Sequence, residues 1–533
     1  MKKFLLISII VLAAFLRLYR LHEVPPGVNR DEASIGYTAY SLLLTGKDEY
    51  GRSFPLSFES FGDWKLPLYI YTTIPFVKIF GLSELAVRLP SALAGIASVA
   101  AIYYLVLELL KQNSKHEIRS TKQIQNSKYK YSNLHSDFDI RISDLPTTIA
   151  LLSALVLAVM PWHMHISRVE SEAIVATLFV ILGSILFFQK KLLWSALFFA
   201  ATYWTYHGTH VSTTLLLIGI ALIYWKDIIK IPRWLAATGL GAFLVIGILS
   251  VTLSADRTKL GGISIFGDPA VVHAKIELPR LSTGNPDAFL TRLRYNRITY
   301  AVSTVTQNYL ASFGPEFLFI KGGGNSAHNI KGYGNLHPIE APLLFLGVLW
   351  LIINRKSKHS RFVLWWIAIS AIAPAITKDA PHSNRMLMAT PVLAIATAIG
   401  IVWLTKLLPK KAVVVIFSLG YIVFMAIYLQ RYFIVFPKTE SANWGIGYKK
   451  LTRELFSPES RDKYVVISKP ETSPYIYILF YSEYPPSYYQ KEARRYPVTA
   501  DGFTHVAGFG RFSFRTIDWD NDRQRENTLL IDL

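Results

Sequence analysis

Apolar runs recurring roughly every thirty residues predict an all-α polytopic membrane protein, with a small extracytoplasmic α/β domain at its C-terminal end. Composition agrees: of 533 residues 52% are hydrophobic and 17% charged, and the mean hydropathy is +0.31. These values exclude a water-soluble globule and a disordered chain. The 56 Lys and Arg against 36 Asp and Glu leave a net charge of +20. In a membrane protein that excess belongs in cytoplasmic loops and against anionic headgroups, so membrane lipids, and no nucleic acid, are the expected contacts. The absence of cysteine removes disulfides, thiolate metal sites and Cys nucleophiles.

The first run, Phe4 to Leu16, follows Lys2 and Lys3 and is trailed by Arg17 and Arg20 without a small-residue cleavage site; it reads as an uncleaved span. Further spans are expected at 85–110, 147–162, 173–188, 192–206, 211–225, 234–253, 341–353, 362–376, 386–404 and 412–428, about eleven in all. Leu66–Phe80 is apolar but short, holds Pro67 and Pro75 and ends near Lys78, which suits a surface amphipathic helix better than a span. With that helix outside the count, the basic loops at 111–141, 190–191, 226–233, 355–361 and 406–411 share one side, the cytoplasmic one. Residues 1–436 then form the membrane domain, with external loops at 21–83 and 254–340 and a polar, flexible cytoplasmic insert at 111–145. Residues 437–533 form the extracytoplasmic domain, with strand or helix patterns at 464–468, 475–481, 503–514 and 529–533.

Chemistry-bearing residues gather in the external segments. Asn29-Arg30-Asp31-Glu32 opens a helical run, and spacing alone favours helix capping over catalysis for Asp31. Asp63 and Lys65 read as an ordinary exposed ion pair. The stretch His163-Met164-His165 through Arg168, Glu170 and Glu172 would bind a divalent metal if other loops contributed ligands, and membrane-edge anchoring explains it as well. Gly322-Gly323-Gly324-Asn325, followed by His328, allows a phosphate nest or a hinge. His382 and Arg385 add an imidazole and a cation on the same side. Lys65, Arg168, Lys321 and Arg385 beside several carboxylates suit an anionic lipid headgroup.

The set formed by Asp31-Glu32-Ala33, Lys65-Leu66-Pro67, Arg88-Leu89-Pro90-Ser91, Pro161 to Glu172 and Pro381 to Arg385 resembles the GT-C glycosyltransferases of the protein O-mannosyltransferase and lipid A aminoarabinose-transferase type (glycosyltransferase families 39 and 83). The resemblance covers about residues 1–436. It implies a GT-C fold in a multi-pass cell-membrane protein with an extracytoplasmic active site. It implies transfer of a sugar from a polyprenyl-phosphate donor to a protein, glycolipid or cell-wall acceptor hydroxyl. Asp31 would be the catalytic carboxylate, Lys65 would contact the lipid phosphate, and Glu172, in preference to Glu170, would complete the site. Glu32 is a further catalytic candidate, Arg168 and Arg385 are phosphate-binding candidates, and Asp63, His163, His165, Asn325, His328 and His382 are substrate-binding candidates. No cofactor is required, and a divalent metal is left open.

A lipid-linked glycan flippase or transporter is the alternative, but it would carry ionisable groups near the middle of spans. Only His207 and His210 hint at that, and packing at helix edges explains them. The topology is testable because the chain has no cysteine. A cysteine at Ser120 is expected to be shielded from impermeant maleimide in intact cells while cysteines at Ser57 and Ser473 react; labelling at Ser120 would invert the arrangement.

Overall fold

The computed structural model describes residues 2–124, 145–253, 264–499 and 502–533. Its membrane part is built from α1 (Lys2–Leu18), α2 (Arg30–Thr45), the hairpin of β1 (Phe58–Ser60) and β2 (Asp63–Lys65), α3 (Pro67–Phe80) and α4 (Glu84–Ile124). There follow α5 (Leu145–Val159), the short α6 (Pro161–Ile166), α7 (Glu172–Phe188), α8 (Leu192–Thr202), α9 (His207–Ile228) and α10 (Arg233–Leu253). Beyond a run of short helical turns come α11 (Arg297–Ser312), α12 (Glu340–Ile353), α13 (Lys358–Ser370), α14 (Thr390–Leu407) and α15 (Lys410–Gln430).

Among the described residues five helical segments are long and apolar enough to cross a membrane: 84–111, 207–228, 233–253, 387–407 and 410–439. The protein is thus a membrane protein. Four further apolar helices, α5, α7, α8 and α12, are only 11–17 residues long, and two expected spans are interrupted. The reason is local: the expected span at 192–206 leaves helical form after Thr202, and that at 362–376 breaks at Ala371. Leu66–Phe80 folds as α3, 14 residues long with Pro67 in its first turn. At ~1.5 Å per residue it falls well short of a ~30 Å hydrocarbon core. The insert expected to be a flexible loop from residue 111 is instead helical to Ile124, as α4 runs on past its apolar stretch; the remainder, 125–144, lies outside the described residues. Small residues let helices close up. A Cβ at Gly347 on α12 would strike the Ala396 carbonyl of α14, and one at Gly400 would strike that of Leu343.

The C-terminal segment contains α16 (Ile446–Leu455), β3 (Tyr464–Ile467), α17 (Pro474–Tyr481), α18 (Pro486–Glu492), β4 (Arg494–Arg495), β5 (Val506–Phe509), β6 (Phe512–Phe514) and β7 (Thr528–Ile531). The sheet order is β4-β5-β6-β3-β7, with β3 parallel to both neighbours and the β4–β5 and β5–β6 pairs antiparallel. This segment leans on α2. Tyr37 donates to the Tyr484 carbonyl at 2.9 Å, Gln490 Nε2 donates to Ser41 Oγ at 3.0 Å, and Val28 N–H donates to the Tyr481 hydroxyl at 3.0 Å. α2 is consequently packed between α3 and α4 on one side and α17 and α18 on the other. Ser57 and Ser473 lie buried in this packing, so extracytoplasmic labelling is better read at exposed Ser282 and Gln524.

At the same contact Glu49 has both carboxylate oxygens buried without a hydrogen-bond partner among the described residues. Arg495 crosses the Tyr50 ring at 4.2 Å and donates to the Glu49 carbonyl at 3.4 Å. Burial pushes the Glu49 carboxyl from 4.5 up to about 8, reinforced by Asp48 and Glu59 and opposed by Arg495 and Lys65. The folded state then holds a proton that the unfolded chain releases, so this group's contribution to stability is full below 4.5 and is lost as pH rises to about 8. Glu49→Gln is expected to flatten the fall of thermal midpoint across that window. An unchanged slope would show that Glu49 is not its source.

Candidate active site

Three fully buried arginines fix the chain that leads into α2. Arg17 donates to the carbonyl of Ala158 at 3.0 Å and meets His163 Nδ1 at 2.8 Å. Arg168 donates to the carbonyls of Leu16, Arg17 and Val24 at 2.9–3.1 Å, between the rings of Tyr432 and Phe433. Arg88 donates to the carbonyls of Leu21 and Pro25, both at 3.0 Å, and to that of Gly27. Its Nε and Nη2 also form a bidentate pair with Glu32, 2.9 Å on each arm. Glu32 in turn closes a capping box with Asn29 and accepts the Glu170 N–H at 3.0 Å. One carboxylate therefore ties α2, α4 and the 167–171 turn together.

That anchoring places Asp31, one residue earlier, on the rim of a 440 Å³ cavity. Asp31 is more than half exposed and pairs with the buried ammonium of Lys65 at 3.0 Å. Lys65 arrives at the end of β2, where Lys65 pairs across the hairpin with Phe58, and its Nζ stands 5.3 Å from the Phe61 ring centre. Around this pair the cavity gathers Arg30, Asp63, Glu170, Glu172, Tyr206, His207, Asn325, His328, His382, Asn384 and Arg385, with Asn443 and Tyr477 closing it from the C-terminal side. Arg385 is held by Thr377 Oγ1 at 2.9 Å and by the Lys378 carbonyl at 2.6 Å. Ser171 Oγ donates to Asn384 Oδ1 at 2.9 Å, joining the wall of α7 to that of the 377–385 turn.

The electrostatics follow from this crowding. Burial alone would lower Lys65, yet the Asp31 and Asp63 carboxylates, helped by Glu172, outweigh it and hold the ammonium above its usual range. Burial raises Glu170 well above the ordinary carboxyl value, and Glu172 and Asp31 add to the effect against Lys65. Its Oε1 has no hydrogen-bond partner among the described residues. Burial pushes His328 down to about 4 against the pull of Asp31, and His382 lower still than an ordinary imidazole. The cavity therefore offers one fixed ammonium, guanidinium groups, carboxyl groups and neutral hydrogen-bonding rings.

Of the residues singled out from sequence, Asp31, Asp63, Lys65, Glu172, Asn325, His328, His382 and Arg385 line the cavity together. Others do not. Glu32 is turned into the Arg88 pair, Arg168 is consumed by backbone carbonyls, and His163 and His165 are buried on α6 against Arg17 and the Ala327 carbonyl. α6 is helical over Pro161–Ile166. Asp31 does not cap α2, because Asn29 does, and Lys65 is no exposed partner of Asp63 but a buried partner of Asp31. Glu170 lines the wall alongside Glu172. The sequence reading missed Arg30, Tyr206, Asn384, Asn443 and Tyr477 and set His207 aside; the polar Tyr-His pair opening α9 was the one available signal. Among the described residues no group of three or more His, Asp and Glu is arranged to hold a metal.

No family model matches the chain, and no curated protein matches it. It is similar in structure to the archaeal oligosaccharyltransferase AglB from Archaeoglobus fulgidus, in complex with an inhibitory peptide and a dolichol-phosphate: TM-score 0.49, 11% identity, over 90% of this chain and 63% of that one. It is also similar to ArnT from Cupriavidus metallidurans bound to undecaprenyl phosphate (TM-score 0.47, 10% identity) and in the apo state (TM-score 0.48, 12% identity), each over 90% of this chain and 84% of that one. The chain thus spans less than two thirds of the AglB chain. Likenesses of this degree leave the functional reading to the chain's own residues.

Removing Glu32 leaves a buried guanidinium with only carbonyl partners. Glu32→Ala is expected to destabilise the protein by about 3–5 kcal/mol. Thermal unfolding in detergent measures it, and an unshifted midpoint would deny the pair its anchoring role.

Proposed function

We propose that this chain is a GT-C-type glycosyltransferase that transfers a sugar from a polyprenyl-phosphate carrier to an acceptor hydroxyl outside the cytoplasm. The observation that carries the reading is the Asp31–Lys65 pair at the rim of a cavity that also presents Arg385. A polyprenyl phosphate is already a good leaving group, so its sugar needs no general acid. It needs cations for the departing phosphate and a base for the incoming hydroxyl.

In this reading the donor phosphate enters between Lys65 and Arg385 and draws the Lys65 ammonium away from Asp31. The freed carboxylate takes the acceptor proton as the hydroxyl oxygen bonds to the anomeric carbon. The bond from that carbon to the phosphate oxygen breaks, and its electron pair leaves on the phosphate. One displacement inverts the anomeric centre, whereas retaining enzymes use two. Glu172 borders the reacting centre, and Asp63 helps hold Lys65 charged. The shorter apolar helices complete the membrane-crossing set, α3 lies on the surface, and the cavity faces the extracytoplasmic side with the segment 437–533. Membranes lacking the protein should accumulate the lipid-phosphate sugar and lose one glycan residue by mass spectrometry.

Because Asn29 caps α2, Asp31→Asn tests chemistry with little effect on the helix start. Turnover is expected to fall by about 10²–10⁴, the usual worth of a positioned base, while undecaprenyl phosphate still binds. Lys65→Ala is expected to raise the donor KM strongly and leave acceptor affinity nearly unchanged. Near-normal transfer by a folded Asp31→Asn protein would remove the base, and unaltered donor kinetics in Lys65→Ala would remove the phosphate contact.

A further inference from the structure

A second hollow of 510 Å³ adjoins the first and shares Asn325, His328 and His382 with it as a common wall. Its chemistry differs. The first cavity is lined by Arg30, Lys65 and Arg385, whereas among the described residues Asp379 is the only charged one lining the second. A lipid phosphate would meet a carboxylate there and no cation. The glycine run, which by sequence allows a phosphate nest or a hinge, borders this hollow, whose charge does not suit a phosphate.

What this hollow offers is hydrogen bonding of mixed sense. His328 Nδ1 is buried without a hydrogen-bond partner among the described residues. Asn325 spends its carbonyl oxygen on the Ala327 N–H at 2.9 Å, and its amide N–H groups remain open among the described residues. The carboxylate of Asp379 accepts, and neutral imidazoles both donate and accept. The ring centres of His328 and His382 lie 5.0 Å apart in the shared wall. His382 Nδ1 also accepts the Arg385 N–H at 3.3 Å, so the wall is tied to the residue facing the donor phosphate. The apolar lining consists only of Ala380, Pro381 and the glycine backbone, which leaves no pocket for a large apolar side chain.

We infer that the second hollow is the acceptor site, and that it takes the hydroxyl-bearing end of a neutral saccharide, presented past His328 and His382 toward Asp31. Neutral hydroxyls, each donor and acceptor, match Asp379, Asn325 and the imidazoles in a way that neither an anion nor an apolar peptide side chain does. This inference rests on the transferase reading and names the acceptor class for it.

Gly324 gives the test. A Cβ there meets no atom within 4 Å, its backbone is outside the left-handed region, and the chain has no other cysteine. Gly324→Cys in the full chain, in a non-glycosidic detergent, is reacted with N-ethylmaleimide. Undecaprenyl phosphate should bind the adduct as before, while transfer from the cell's own polyprenyl-phosphate sugar pool onto membrane glycans should be lost. Before reaction, neutral disaccharides should slow labelling of the cysteine, whereas undecaprenyl phosphate and a Ser/Thr pentapeptide should not. Asp379→Asn should raise the acceptor KM by about tenfold and leave the donor KM unchanged. Full transfer by the adduct, or protection by the peptide alone, would overturn the assignment. Loss of undecaprenyl phosphate binding in Lys65→Ala bears on the transferase reading and is scored separately from either result.

Discussion

Glu32 and Arg88 meet with neither side chain exposed, and a buried pair of this kind is tolerable only when the remaining polar atoms are also satisfied. Here they are. The guanidinium is shared between the carboxylate and the carbonyls of Leu21, Pro25 and Gly27. The carboxylate is shared with the N–H groups of Asn29 and Glu170. The pair thereby fixes three things at once: the path of the chain between α1 and α2, the first turn of α2, and the turn before α7. Asp31 and Glu170 reach the cavity because Glu32 does not. Arg168 and Arg17 extend the same scheme, Arg168 to the carbonyls of Leu16, Arg17 and Val24 and Arg17 to those of Ala13, Leu157 and Ala158, where buried acceptors need partners.

The cavity gathers like charges around one ammonium. Asp31, Asp63, Glu170 and Glu172 would repel one another, and two responses are visible: Lys65 is held charged, and the Glu170 carboxyl is driven toward its neutral form. Both make the resting cavity sensitive to an arriving anion, since any anion at this site would compete with Asp31 for Lys65. The C-terminal segment belongs to this arrangement, because Tyr477 and Asn443 complete the wall. Its hold on α2 runs through tyrosines and the buried Glu49, so packing far from the chemistry sets the shape of the cavity mouth.

Several elements were legible from local sequence. The Asn29-to-Glu32 spacing marks a helix start, and the structure shows a capping box there, although the cap falls on Asn29 and not on Asp31. The prolines at 67 and 161 sit in the first turns of α3 and α6, where a missing N–H costs nothing. Strand patterns at 464–468 and 529–533 appear as β3 and β7. Helix ends were less legible. Hydropathy runs straight through Thr202 and Ala371, where α8 and α13 end, because an average over a window does not resolve a break of one or two residues.

The sequence by itself determined that this is a membrane protein, where its main helices begin, and which short segments hold the ionisable groups, because hydropathy, charge and capping act over a few residues. Tertiary structure alone decided which of those groups meet. Arg168 and Arg385 look alike as lone cations beside an apolar helix, yet one is buried under carbonyls 144 to 152 positions away and the other lines the cavity. Glu32 and Asp31 are neighbours in sequence, and helical rotation of about 100° per residue sends one into the core and the other to the rim. Lys65 finds Asp31 through a hairpin and shares its cavity with His328 and Arg385 from distant loops. Such convergence is a sum of long-range contacts, and no local propensity encodes it.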